Sequence, residues 1–156
     1  MPTHAERRRL PYRQDQLFNL VADVERYPEF LPWCLAARIR ERGPNLVIAD
    51  LLIGYKMVRE RFTSRVVLSR PGRIDVSYSE GPFKYLTNHW LFEPQPDGGT
   101  LIDFYVDFEF RSKMLQKLMG MFFNEAVRRM VAAFEARAHQ LYGDPEKGGA
   151  GASRPV

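Results

Sequence analysis

Residues 112–142 read SKMLQKLMGMFFNEAVRRMVAAFEARAHQLY. The stretch holds no proline, and its one glycine is Gly120. Its apolar residues fall at Leu115, Leu118, Met119, Phe122, Ala126, Met130, Ala133 and Phe134. That is the i, i+3, i+4, i+7 spacing of an amphipathic helix. At 1.5 Å per residue it runs for roughly 45 Å. Nothing upstream can make a second helix of that length, because almost everything from Leu35 to Arg111 reads as strand. A long helix and a large sheet each carry an apolar face that has to be covered. A sheet curled around the helix covers both. The expected class is α+β, with a curved antiparallel sheet of about seven strands wrapped around one long C-terminal helix.

Outward from that helix, residues 100–110 show the clearest strand period. Ile102, Phe104, Val106, Phe108 and Phe110 point one way, while Asp103, Tyr105, Asp107 and Glu109 point the other. Strict alternation means one buried face and one wet face. Ile74, Val76 and Tyr78 repeat the pattern, as do Val58, Phe62, Val66 and Leu68. Strands are expected at 35–41, 46–53, 57–68, 73–79, 84–92 and 100–110. The breaks between them are Gly43-Pro44-Asn45, Gly54, Pro71-Gly72, Gly81-Pro82 and the run Pro94 to Gly99. Such breaks suit hairpin connections, so the strands form a meander. Ahead of them, residues 4–10 read as an edge strand whose Arg7, Arg8 and Arg9 discourage edge-to-edge pairing. Two short helices follow, at 13–23 and 24–31, the second broken at Pro28 and stopped by Pro32. One domain is expected over 1–143, and the polar, Gly-rich tail 144–156 is expected to be disordered.

The chain has 156 residues, 45% hydrophobic and 27% charged, which is a globular composition. No run approaches the ~18 apolar residues of a membrane span. The N-terminus lacks the apolar core of a secretory signal. The single cysteine, Cys34, cannot form an intrachain disulfide, which points to a reducing cytoplasm. The net charge of +4 suits an anionic membrane or an RNA surface, and equally a protein with neither partner.

No catalytic constellation emerges. His4, His89 and His139 stand in no HExxH, HxH or Cys-paired spacing, so no metal site is assigned. The glycines mark turns rather than a phosphate loop. Asp103, Asp107 and Glu109 share one face and read as a wet sheet surface. Cys34, beside Trp33, reads as a buried structural thiol. A non-enzymatic protein is expected. What remains is a possible cavity. Glu60, Ser64 and Asn88 are polar positions within inward registers, and buried polar groups are hydrogen-bonded, hydrated or facing a ligand. Either these strands open to solvent at one end, or they bound an apolar tunnel with a few polar groups. On the helix, Met114 and Met121 lie off the core stripe, with Arg111, Lys113 and Lys117 in the same turns. They either pack under the sheet rim or form a face that docks on lipid headgroups.

The segment VADVERYPEFLPWC, residues 21–34, resembles the signature of the ubiquinone-binding START-domain family. That group lies within the polyketide cyclase-like superfamily and includes mitochondrial coenzyme Q-binding proteins and bacterial ribosome association toxins. Supporting matches are Gly54-Tyr55-Lys56, ERFTSRV at 60–66, Asn88-His89-Trp90, DFYVDFEFRS at 103–112 and AFEARAHQLYG at 133–143. The resemblance implies the helix-grip fold, with a tunnel between sheet and C-terminal helix that holds a hydrophobic ligand, here ubiquinone. It implies a quinone carrier or chaperone supporting respiratory electron transport and quinone biosynthesis, with no cofactor beyond the bound quinone. A bacterial cytoplasmic protein in peripheral contact with the inner membrane is expected.

Within that tunnel, Phe62, Trp90, Phe104 and Phe108 are the candidate sheet wall. Leu115, Met119 and Phe122 are the candidate helix wall, and Phe30, Leu31 and Trp33 the lid. Ser64, Tyr78 or Asn88 would donate to a quinone carbonyl, while Lys113, Met114, Lys117 and Met121 would dock on the membrane. The alternative is the ribosome-binding role. The chain would then hold the large ribosomal subunit through Arg7, Arg8, Arg9, Arg38, Arg40 and Arg42 and block subunit association. No DNA partner is expected. Aromatase/cyclase chemistry is a third reading, and it rests on fold analogy alone.

Overall fold

The computed structural model describes residues 3–55 and 58–143. The elements run β1 (Thr3–Leu10), α1 (Gln14–Ala22), a 3-10 helix (Val24–Glu29), β2 (Cys34–Arg42), β3 (Leu46–Tyr55), β4 (Val58–Ser69), β5 (Arg73–Glu80), β6 (Phe83–Pro94), β7 (Thr100–Phe110) and α2 (Lys113–Tyr142). The seven-stranded sheet has the order β1-β7-β6-β5-β4-β3-β2. Every neighbouring pair is antiparallel. The strands from β2 to β7 form the expected meander, and β1 returns to the free side of β7, where it is an edge.

Two local expectations change. Gly54 lies inside β3 rather than in a turn. A Cβ at this position would meet the Leu35 side chain at 2.8 Å, so the missing side chain makes room for the neighbouring strand. The second short helix is a 3-10 helix that ends at Glu29, with Pro28 inside it. Its tighter turns tolerate a residue that has no N–H to donate. Lys56 and Met57, and the tail from Asp144 onward, lie outside the described residues. The β5–β6 turn uses Gly81 at φ +144°, where an added Cβ would strike Phe62 Cβ at 2.6 Å.

β7 keeps its alternation. Ile102, Phe104, Phe108 and Phe110 are buried, and Val106 is half-buried. On the outer face Asp103 meets Arg7 at 3.8 Å, Asp107 accepts from the Tyr85 hydroxyl at 3.3 Å, and Glu109 meets Lys84 at 2.9 Å. These carboxylates belong to the outer surface of the sheet.

α2 starts where Ser112 caps it, its Oγ accepting from the Leu115 N–H at 3.2 Å. The Gln116 side chain accepts from the Phe110 N–H at 2.8 Å and ties the end of β7 to the first turns. Gly143 closes the helix at φ +84°, donating to the His139 carbonyl at 2.8 Å. The far end is anchored to the α1 region. There the Tyr12 hydroxyl donates to the Gly143 carbonyl at 3.1 Å, and the Tyr142 hydroxyl donates to the Gln16 carbonyl at 2.9 Å. The buried residues of α2 are Phe123, Ala126, Val127, Phe134 and Ala138. None precedes Phe123, so the helix is gripped along its C-terminal part while its first turns stand at the rim.

Candidate functional site

Sheet and helix leave a cavity of roughly 220 Å³ between them. Its sheet wall comes from alternate inward positions: Phe62, Ser64 and Val66 on β4, Ile74 and Val76 on β5, Leu86, Asn88 and Trp90 on β6, and Phe104, Val106 and Phe108 on β7. α2 supplies Met119, Phe123, Val127 and Met130, and the segment before β2 supplies Leu31 and Trp33. Val76, Leu86, Val106, Met119 and Met130 are only half-buried although they point inward. Each lines the cavity, which accounts for exposure that a packed core position would lack. Aromatic contacts bridge sheet and helix around it. Trp90 meets Phe134 at 5.1 Å, and Phe108 meets Phe123 at 5.5 Å.

The segment between α1 and β2 is clasped onto α2. The Phe30 ring packs edge-on against Phe134 at 5.2 Å, and Tyr27 does the same at 5.5 Å. The Arg137 guanidinium lies 5.1 Å over the Phe30 ring and pairs with Glu29 at 2.8 Å.

Among the described residues, no charged side chain lines the cavity. The described lining residues that carry a polar side-chain atom are Tyr27, Trp33, Cys34, Ser64 and Asn88, and the Trp33 indole N–H is enclosed without a hydrogen-bond partner. The Tyr27 hydroxyl donates to the Val21 carbonyl, and burial holds the phenol in its protonated form. The Cys34 thiol donates to the Ala36 carbonyl at 3.7 Å, and burial pushes it up to about 11. It is therefore a neutral thiol near pH 7 rather than a nucleophile. Asn88 Nδ2 donates to the Tyr105 carbonyl at 3.2 Å. Among the described residues, no cluster of three or more His, Cys, Asp or Glu side chains could hold a metal ion. His4 faces Glu6 at 3.0 Å, and His89 stacks on Tyr105 at 5.2 Å, neither lining the cavity.

The structure brings Leu31, Trp33, Phe62, Ser64, Asn88, Trp90, Phe104, Phe108 and Met119 together on one wall. Phe30, Tyr78, Leu115 and Phe122 are not on it. Phe30 is engaged in the clasp to α2. Tyr78 turns its ring edge-on to Phe83 at 5.3 Å and its hydroxyl to the Gly81 carbonyl, so Phe83 forms the wall there. Leu115 sits in the first turn of α2, short of the cavity. Phe122 yields to Phe123, because the buried stripe passes through 119, 123, 126, 127, 130 and 134 rather than through 115 and 122. Glu60 is half-buried and also off the wall. The residues not foreseen as lining include Ile74, Val76, Val106 and Phe134. Their inward registers were legible, and only their adjacency to a void was not.

The first turns of α2 carry a distinct surface. Met114 is 70% exposed and Met121 67%. Among the described residues, no carboxylate lies within ion-pair distance of Arg111, Lys113 or Lys117. The arginines of β1 and β2 are different. Arg8 meets Glu135 at 2.6 Å, Arg38 meets Asp50 at 3.3 Å, Arg40 meets Glu80 at 3.8 Å, and Arg42 meets Glu25 at 3.4 Å. Arg9 pairs with Asp97.

A curved sheet closed over one helix around an apolar cavity is the START-type fold. The chain belongs to the polyketide cyclase / dehydrase and lipid transport family, whose model matches residues 10–135. It is 40% identical over 136 residues to the ribosome association toxin RatA of Rickettsia prowazekii, covering 85% of this chain and 92% of that one. It is 34% identical over 148 residues to the mitochondrial coenzyme Q-binding protein COQ10 homolog B of Xenopus laevis, covering 92% of this chain and 60% of that one. The solution structure of the 18 kDa protein CC1736 from Caulobacter crescentus, 40% identical, superposes with a TM-score of 0.74 over 92% of this chain and 100% of that one. START-superfamily and aromatase/cyclase structures of 20% identity and 15% identity share the fold alone.

Proposed function

We propose that this protein is a carrier for a polyprenyl quinone, held with its head group in the cavity between the sheet and α2. The observation that carries the reading is the cavity wall itself, mostly aromatic and aliphatic and without a charged side chain among the described residues that line it. Such a wall favours a neutral, apolar ligand, each CH₂ withdrawn from water contributing roughly 0.8 kcal/mol. The cavity is smaller than the ~300–1,000 Å³ of ordinary small-molecule sites. It therefore suits a head group and the first length of chain, with the rest of the tail leaving through the mouth. No bond is made or broken in this role, and no side chain is asked to act as acid, base or nucleophile. The exposed methionines at the start of α2, and the cations there that have no ion-pair partner among the described residues, support docking on the cytoplasmic face of an anionic inner membrane, from which a quinone can be drawn.

The second reading is association with the large ribosomal subunit. It is favoured by relatives named as ribosome association toxins, among them those of Rickettsia prowazekii and Escherichia coli. The arginines of β1 and β2 are poor candidates for that contact, because carboxylates already neutralise them. The unpaired cations of α2 are better ones.

Organic extraction of protein purified without detergent from a quinone-producing bacterium, followed by mass spectrometry, tests the carrier reading. Ala126→Trp, which fills the cavity from the helix side, is the blank, with circular dichroism to check its fold. Quinone at a substantial mole fraction in the wild type and absent from the variant is the expected result. No lipid in well-folded wild type would refute the carrier and leave the ribosomal reading.

A further inference from the structure

The outer face of the sheet is not uniform in charge. On β7 its carboxylates are engaged within the chain, Asp103 with Arg7 at 3.8 Å and Glu109 with Lys84 at 2.9 Å. β4 is different. Its residues Phe62, Ser64 and Val66 line the cavity, so the alternate positions face outward. Three of these are arginines, Arg59, Arg61 and Arg65, and all three are exposed. Among the described residues, no carboxylate lies within ion-pair distance of any of them.

The register explains why. The cross-strand position is where a strand residue ordinarily finds an opposite charge. Arg59 stands opposite Gly54, Arg61 opposite Leu52 and Arg65 opposite Ile48 on β3, and Arg65 stands opposite Ser77 on β5. None of these partners carries a charge. Asp50 of β3 is occupied: it accepts from the Thr63 hydroxyl at 2.7 Å and meets Arg38 at 3.3 Å and Arg40 at 3.6 Å. Glu80 meets Arg40 at 3.8 Å. Glu41 stands on the edge strand opposite Ile48, with β3 between it and Arg65. Rising ~3.3 Å per residue, β4 spreads its three guanidinium groups along a line of roughly 20 Å.

We infer that the Arg59, Arg61 and Arg65 stripe on the outer face of β4 is a docking surface for the phosphodiester backbone of RNA. This goes beyond the carrier role and rests on the ribosomal reading given above, for which it names the contact. A line of unpaired cations is complementary to a line of regularly spaced phosphates. Guanidinium suits that partner, because its fork can hold two phosphate oxygens where an ammonium offers a point charge. A second copy of the chain fits less well, since Asp103 and Glu109 of β7 are already taken up by Arg7 and Lys84. A bilayer fits less well too. Leu52 and Ile48 beside the stripe are half-buried, and among the described residues Leu35, over Gly54, is the large apolar side chain exposed there. The methionines that a bilayer would take up are on α2. The cavity and α2 lie on the inner face, so RNA on the outer face leaves them free.

Cosedimentation of the full chain with purified large ribosomal subunits, and gel-shift titration with protein-free RNA extracted from them, test this across a salt series. One variant combines Arg59→Gln, Arg61→Gln and Arg65→Gln. A second, Ser77→Glu, keeps the arginines and places a carboxylate opposite Arg65. The wild type is expected to bind subunits and RNA with an affinity that falls steeply with salt. The triple substitution should weaken both about tenfold or more and flatten the slope of log affinity against log salt by about 2–3. Ser77→Glu should flatten it by about 1. Neither variant should change flotation with phosphatidylserine vesicles, and the triple variant should melt as the wild type does, because its arginines are exposed. Wild type that binds subunits while both variants bind equally well would overturn the inference and leave the ribosomal reading standing. Equal losses on subunits and vesicles would overturn it in favour of any anionic surface. Variant effects on subunits, with no binding to the extracted RNA, would overturn it in favour of a ribosomal protein. Failure of folded wild type to bind either subunits or RNA would remove both the inference and the ribosomal reading beneath it.

Discussion

Cys34 shows how much one residue reports on the site. It is buried, it lines the cavity, and its thiol is pushed up to about 11 by burial. The thiolate is the reactive form, so iodoacetamide should label the folded protein slowly at pH 8. The rate should climb about tenfold per pH unit and level off only near pH 11, because the logarithm of thiolate fraction follows pH below the pKa. The sign carries over to stability. The folded state keeps a proton that the unfolded chain releases above its ordinary value, so this group's contribution is whole below about pH 9 and is lost as pH rises toward 11. Urea unfolding at pH 8 and pH 10.5 should show a larger loss of stability in the wild type than in Cys34→Ala. A ligand in the cavity should slow labelling further, since the thiol stands on the wall. Labelling kinetics by mass spectrometry, with and without decylubiquinone, check both effects. At this scale the sequence was only partly readable. That Cys34 would be buried was legible, and Trp33 was expected only as part of a lid. That the Trp33 indole N–H would be buried without a partner was not legible, because partners are set by contacts across strands that no local pattern encodes.

At the scale of elements, α2 explains both what was legible and what was not. Its existence and length follow from an unbroken apolar period with a serine cap ahead and a glycine behind. Its rotation does not. Between Met114 and Phe123, apolar residues occur all round the wheel, so a stripe through Phe122 and one through Phe123 look equally apolar. The choice is made by Ala126, Val127, Phe134 and Ala138, which pack where the sheet closes. The strands were easier, because a period of two with turn residues between leaves only two faces to choose from. Two substitutions exploit the geometry. Gly120 is exposed and nothing lies within 4 Å of where its Cβ would stand, so Gly120→Ala should stabilise the protein by up to about 1 kcal/mol. A thermal melt should show it as a rise of a few degrees. Arg137→Ala removes the Glu29 ion pair and the guanidinium over Phe30. It should cost about 1 kcal/mol and speed amide exchange across residues 27–34, because the segment loses its clasp to α2. Unchanged exchange there would mean that the rings of Tyr27, Phe30 and Phe134 hold the segment without help.

The whole molecule separates its charge by surface. The arginines of β1 and β2 face carboxylates, whereas the start of α2 carries cations that have no such partners among the described residues, beside exposed methionines. A net charge of +4 therefore acts less as a diffuse property than as a local one. Both proposed partners, an anionic bilayer and a phosphate-rich ribosomal surface, would be drawn to this region. The methionines distinguish them, because a bilayer offers apolar depth and an RNA backbone does not. Lys113→Glu combined with Lys117→Glu should lower affinity for vesicles containing phosphatidylserine about tenfold or more, since each cation near such a surface contributes about 1 kcal/mol. Met114→Ser combined with Met121→Ser should weaken binding to neutral and anionic vesicles alike, at any salt concentration. Reversing Arg38, Arg40 and Arg42 should leave vesicle binding unchanged. Flotation with vesicles and cosedimentation with large ribosomal subunits, each across a salt series, read the outcome. If the lysine reversals abolish a steeply salt-dependent cosedimentation while the methionine substitutions change nothing in either assay, the α2 face is a phosphate-binding surface and the bilayer is not its partner.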